Sequence, residues 1–293
     1  MYFVLKAHNH LHLGGSVEKL NEKYPNANIL IPSKYAGLAG MIDFIYRKLN
    51  MVMLESDDVI FFMENAIESS IDDNITLLEA SVDIGLARFF NGSIEEVIDT
   101  VASLKERYKS QIDFRPDIGV NKDLPMEKVY SDGQLCISSG VFSGLDIYGK
   151  EVNQNLESFQ ELFNSARENN LKTKVHIGEF SDVHTIENAI ELLKPDELQH
   201  GIRAVDSEKT MAMILENDIR LNVCPQSNLS LGSTEDIASH PIRRLFDYGI
   251  NLTVNTDDLL LFDATVTDQF VDLLEKKIFS FEEIDSIRKN AFL

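Results

Sequence analysis

Residues 173–201, TKVHIGEFSDVHTIENAIELLKPDELQHG, decide the fold. Two short apolar runs, Thr173 to Ile177 and Leu198 to Gly201, stand either side of an amphipathic stretch, the pattern of a βα unit. Each run ends at a histidine, His176 in one and His200 in the other. Working outward, the same alternation predicts further strands near Val4 to Leu13, Ile75 to Val82, Ile112 to Val120, Val141 to Ile147, Ile219 to Val223 and Leu252 to Asn255. Eight such runs with helical stretches between them place the chain in the α/β class. Histidine, glutamate and aspartate recur at the predicted strand ends, where an α/β barrel keeps its chemistry.

Between the runs, Ser93-Ile94-Glu95-Glu96 reads as a capping box before an amphipathic helix ending near Tyr108. Asn155 to Asn169 carries apolar residues at helical spacing, with Asn169-Asn170 as a stop. Residues 17–70 are predicted as a mostly helical insertion after the first strand, placed either as a lid or as ornament.

The bulk properties narrow the classes. A chain of 293 residues with 44% hydrophobic and 26% charged content is an ordinary globular protein, expected as one domain over residues 1–293. No apolar run reaches the ~20 residues of a membrane helix. The start, Met1 to Lys6, lacks a basic signal region, and two cysteines suggest reduced thiols, so a cytoplasmic location is expected. A net charge of −21 argues against nucleic acid or an anionic membrane as partner, because phosphate contacts need a basic face. A small-molecule partner remains, and oligomeric state is not readable.

Residues two apart on a strand share a side, so Lys6, His8, His10 and His12 fall on one face. Three histidines there are a chance cluster or a metal site, since such side chains are costly to bury unless hydrogen-bonded or metallated. His176 and Glu179 supply a histidine with a carboxylate nearby, as metal-assisted hydrolysis requires, or an ordinary loop. His200 is a structural histidine or a catalyst. Asp257-Asp258 caps a helix or carries acid chemistry. Cys224-Pro225 lacks the second thiol of a cytidine-deaminase zinc element, so Cys224 reads as a small buried residue. Phosphate-loop and dinucleotide fingerprints are absent.

Together these segments resemble the adenosine deaminase family of metal-dependent hydrolases. Lys6-Ala7-His8-Asn9-His10-Leu11-His12-Leu13-Gly14-Gly15 is similar to its opening strand, and Gly144 to Glu151 to its Gly-x-Asp-Leu-x-Gly-x-Glu segment. His176-Ile177-Gly178-Glu179, His200-Gly201, Val223 to Asn228 and Asn255-Thr256-Asp257-Asp258 follow in family order. The resemblance implies a (β/α)8 TIM-type barrel holding one zinc on His10, His12, His176 and Asp257. It implies Glu179 as proton donor to the purine ring, with His200 and Asp257 orienting and deprotonating the attacking water. His12, Gly149 and Asp258 would contact the substrate. The expected reaction is adenosine to inosine plus ammonia.

Several positions depart from the family. Gly14 stands where an acid usually holds the ribose, Ser81 replaces an arginine, and Leu259 replaces a proline. The chain ends at Leu293, where relatives continue with a further helix. These departures keep open adenine or a modified aminopurine as substrate and a non-catalytic binding relative; a ring-opening amidohydrolase is disfavoured by the intact His176 to Glu179 and Asp257-Asp258 segments.

Overall fold

In the computed structural model, which describes residues 4–152 and 154–290, eight parallel strands follow one another in chain order. They are β1 (Leu5–Lys6), β2 (Leu77–Asp83), β3 (Asp113–Asn121), β4 (Gly144–Tyr148), β5 (Lys172–Ile177), β6 (Glu197–His200), β7 (Arg220–Val223) and β8 (Leu252–Val254). A parallel bridge between Asn9 and Asp257 brings the continuation of β1 against the end of β8, so the sheet curls into a nearly closed (β/α)8 barrel. The readings made on Met1 to Phe3 and on the end at Ala291 to Leu293 lie outside the described residues.

Alternation within each strand explains the layers. On β5, Val175 and Ile177 join the apolar core, while Lys174 and His176 take the opposite side. The same division separates Leu145 and Ile147 from Asp146, and Leu198 from Glu197 and Gln199. One side therefore packs under the helices, and the barrel interior is lined by buried polar groups.

Seven of the eight strands lie within a few residues of their predicted runs. The first is shorter than predicted. After Lys6 only the isolated bridges at Asn9 and His10 continue the pairing, and Leu11–Leu13 forms a 3-10 turn. Ser93 caps the helix Ile94–Tyr108 by accepting the Glu96 amide at 3.1 Å. Asn155 to Asn169 becomes a 3-10 turn, Leu156–Phe159, running into the helix Gln160–Glu168.

The insertion contains the helices Val17–Lys23, Gly37–Lys48 and Ser56–Asp72. It is tied to the segments after β7 and β8: Tyr35 donates its amide to the Ser230 carbonyl at 2.8 Å and its hydroxyl to the Leu261 carbonyl at 2.9 Å. That anchoring puts it beside the strand C-terminal ends. Both cysteines are free and buried, and no described helix is long and apolar enough to cross a membrane.

Candidate active site

The first strand reaches the site through a one-residue bulge. Lys6 pairs with Leu78, yet His10 bridges to Ser81, so β1 carries one more residue over this step than β2. The Asn255 side-chain oxygen accepts from two successive amides there, Ala7 at 2.7 Å and His8 at 3.2 Å. Beyond His10 the backbone tightens into the 3-10 turn. These two breaks in plain alternation determine which histidines converge.

His8, His176, His200 and Asp257 are buried with ligand atoms within 4.8 Å of one another. His10 forms a second group with Asp257 and Asp258. His8 Nε2 lies 3.0 Å from Asp257 Oδ1, and His10 Nε2 lies 3.9 Å from the same oxygen. The His10 ring centroid is 5.2 Å from that of His176. His12, which the motif order paired with His10, sits on the 3-10 turn and belongs to neither group. The structure brings in His8 instead, because strand geometry ends at His10.

The donor set suits a metal. Zinc takes neutral imidazole nitrogens and carboxylate oxygens. Burial drives both His8 and His10 down to about 4 and lowers His176 as well, so all three are neutral near pH 7. His176 Nε2 and His8 Nδ1 are buried without a hydrogen-bond partner, while His8 Nε2 faces the Asp257 carboxylate. His176 Nδ1 faces Asp146 Oδ1 at 3.1 Å, the carboxylate–imidazole pairing that orients a metal-binding histidine. Burial raises Asp257, but the contact with His8 and the charges of His8, His200 and His10 outweigh it and hold the carboxyl well below its usual range. Ser227 donates to Asp257 Oδ2 at 2.6 Å.

Glu179, a further titratable group, stands beside this cluster. Gly178, at φ +75°, turns the chain off β5, and a Cβ there would overlap Ile186. That turn delivers Glu179 to the site. Burial pushes Glu179 up to about 7; Asp257 and Glu151 add to the rise and His200 opposes it. A second chain of contacts fixes its orientation. The Ile242 amide donates to His240 Nδ1 at 3.1 Å, so neutral His240 carries its proton on Nε2 and donates to Asn228 Oδ1, 3.1 Å away. Asn228 Nδ2 then points at Glu179 Oε1 at 2.6 Å and faces His200 Nδ1 at 3.4 Å. His200 therefore directs Nε2 toward Glu179 Oε2 at 3.7 Å and Asp257 Oδ2 at 3.9 Å. Burial lowers His200, but these carboxylates carry its pKa above the ordinary value.

The other predicted residues also fall at the strand ends. Asp258 is buried and leaves one oxygen without a partner; burial and neighbouring Asp257 push its carboxyl well upward. Its side chain makes no capping bond to the helix Leu259–Phe262, so the capping alternative does not hold. Gly149 follows β4 at φ +101°. Cys224 is fully buried, and burial raises its thiol well above the usual range, in line with a packing role.

Sequence reading placed His8 among three histidines on one face without selecting it, and gave no role to Asp146, Glu151 or His240. Period-two alternation in Gly144–Tyr148 marks Asp146 as a polar inward residue. Nothing local marks His240, whose role depends on a long-range contact with Asn228.

Comparison with known proteins agrees with the geometry. The family described as adenosine deaminase matches residues 6–293. A putative adenosine/adenine deaminase of Treponema pallidum is 32% identical over 267 residues, spanning 91% of this chain and 89% of that protein. An adenine deaminase structure from Arthrobacter aurescens superposes with a TM-score of 0.86 at 21% identity, covering 99% of this chain and 93% of that one. An amidohydrolase from Burkholderia ambifaria, solved with bound zinc, gives 0.81 at 18% identity, covering 99% and 84%. The two solved structures establish the shared barrel.

Proposed function

Because this chain belongs to the adenosine deaminase family of metal-dependent hydrolases, we propose that it deaminates adenosine to inosine and ammonia with one zinc per chain. Action on an aminopurine follows from the family; adenosine and zinc are the finer reading. The observation that carries it is the convergence of His8, His176, His200 and Asp257 in one buried site, with the Glu179 carboxyl, raised to about 7, beside His200.

His8, His10, His176 and Asp257 would hold the zinc. The motif order favours His12 as a ligand instead of His8, and metal content of the two single variants separates these sets. When bound, the metal polarises water and lowers its pKa. Asp257, ionised at neutral pH, accepts a proton from the attacking water, and His200 Nε2 orients that water. Glu179, protonated below about 7, supplies a proton to the ring nitrogen beside the amino-bearing carbon. Asp258, its carboxyl pushed toward the protonated form by burial and by Asp257, donates to a further ring nitrogen, and the Gly149 backbone contacts the purine edge. The proton held by Asp257 then passes to the amino group, the carbon–nitrogen bond breaks to release ammonia, and the hydroxyl proton returns to Glu179 as the carbonyl forms.

One observation favours free adenine as an alternative substrate. A Cβ at Gly14 would overlap the Asn9 side chain, so no ribose-holding carboxylate can stand there without a rearrangement. Ammonia release by zinc-loaded protein across adenosine, 2′-deoxyadenosine, adenine and substituted aminopurines tests both. Faster turnover of adenosine supports the first reading, and turnover of adenine alone supports the second. Silence across the panel with zinc bound contradicts both and leaves a binding protein.

A further inference from the structure

One buried carboxylate gathers the loop that carries Glu179. Glu151 Oε2 accepts the amides of Gly178 at 2.7 Å and Ser181 at 3.0 Å, together with the Ser181 hydroxyl. Its Oε1 accepts the amides of Glu179 at 3.1 Å and Phe180 at 3.3 Å. Four successive amides thus converge on a side chain that is only 7% exposed. Lys122, also buried, donates to the His176 carbonyl at 2.9 Å, so its cation pins the end of the strand from which the same loop departs.

We propose that Glu151 is a positioning residue, holding the 178–181 loop so that the Glu179 carboxyl stays aligned with His200 and the substrate. The loop needs such a tie because Gly178 is conformationally permissive and entropically costly to order. A misplacement of ~1 Å in a reacting group costs on the order of 10²-fold in rate. Both oxygens of Glu151 accept hydrogen bonds, so the isosteric amide cannot replace it. Either orientation of a glutamine sets an NH2 group against backbone N–H donors.

The kinetic consequence rests on the deaminase reading, whereas the tie itself can be measured without a substrate. Glu151→Gln and Ser181→Ala are compared with wild type in zinc-loaded full-length protein, by hydrogen exchange at amides 178–181 and by kcat and KM. Glu151→Gln is expected to lose at least ~10-fold protection in the loop while the rest of the barrel keeps its own. Its kcat falls by ~10²-fold with KM within about threefold and metal content unchanged. Ser181→Ala shifts both readouts the same way by about threefold.

Unchanged loop protection in Glu151→Gln would overturn the proposal, and so would a loss that spreads evenly over the barrel with KM rising in step. If Glu151→Gln does not fold, Ser181→Ala decides: wild-type exchange and kcat reject the tie. If wild type turns over no aminopurine, the deaminase reading fails and the exchange result alone decides the positioning role.

Discussion

Two clusters of buried charge lie inside the same barrel, stacked along the same strands, and they are built differently. In the lower one, Lys174 contacts Glu79 at 2.7 Å, Asp117 at 2.8 Å and Glu197 at 3.7 Å. Arg220 contacts Glu79 at 3.1 Å and Glu197 at 2.8 Å. Two cations face three carboxylates, and burial together with neighbouring Glu79 raises Asp117 to about 7, despite Lys174, easing the negative excess. Two residues up β5, around His176, the upper cluster has imidazoles facing imidazoles and nitrogens without partners. Charges in the lower cluster complete one another, whereas buried polar nitrogens without partners mark a candidate ligand or reaction site.

A polar belt joins them. Asn222 donates to Glu197 at 2.7 Å below and to Gln199 at 2.9 Å, and it accepts from Thr253 at 2.8 Å. Asn255 donates to that threonine at 2.8 Å and caps the bulge that presents His8. Ser81 donates to Asp146, which in turn faces His176. The lower cluster takes its cations from Lys174 and Arg220.

The largest expected effect separates the upper cluster's own members. His8→Ala should lose stoichiometric zinc and turnover, whereas His12→Ala keeps the metal; metal analysis after dialysis reads this directly. The reverse result would move the ligand pair to His10 and His12. Next, Lys174→Met should cost ~3–5 kcal/mol of stability by leaving buried carboxylates short of a cation, measured by denaturant unfolding. Loss of turnover in the folded variant with unchanged stability would break the distinction between the clusters.

Those contrasts also show what the sequence could reveal. Strand runs were legible because apolar residues alternate with polar ones on buried strands, as in Lys174-Val175-His176-Ile177. His176, His200, Glu179 and Asp257 were legible because they follow those runs. His8 was not separable from His12, since a bulge that shifts alternation depends on Asn255, far along the chain. The ionic cluster was invisible for the same reason: Glu79, Asp117, Lys174, Glu197 and Arg220 come from five different strands.

A smaller effect tests the strain stored at Glu179. Its folded pKa is raised to about 7 from 4.5 in the unfolded chain. The carboxyl therefore favours the fold fully below about 4.5, and that contribution is lost as pH rises through 7. Relative to wild type, Glu179→Gln should gain up to ~3 kcal/mol between pH 4.5 and 8, read from paired unfolding curves. A pH-independent difference would contradict the raised pKa. Smallest, Asp146→Ala should weaken zinc affinity by ~10–100-fold through loss of the His176 partner, measured by competition with a chelator. Unaltered affinity would remove Asp146 from the metal's support.

The most direct measurement is ammonia release from adenosine and adenine by zinc-loaded wild type and Glu179→Gln, with metal content determined on both. Wild type should release ammonia with one zinc per chain, and the variant should keep its zinc while losing ~10²–10⁴-fold in kcat. Equal turnover by both proteins, or none by a fully metallated wild type, would contradict the assignment of the upper cluster as a catalytic deaminase site.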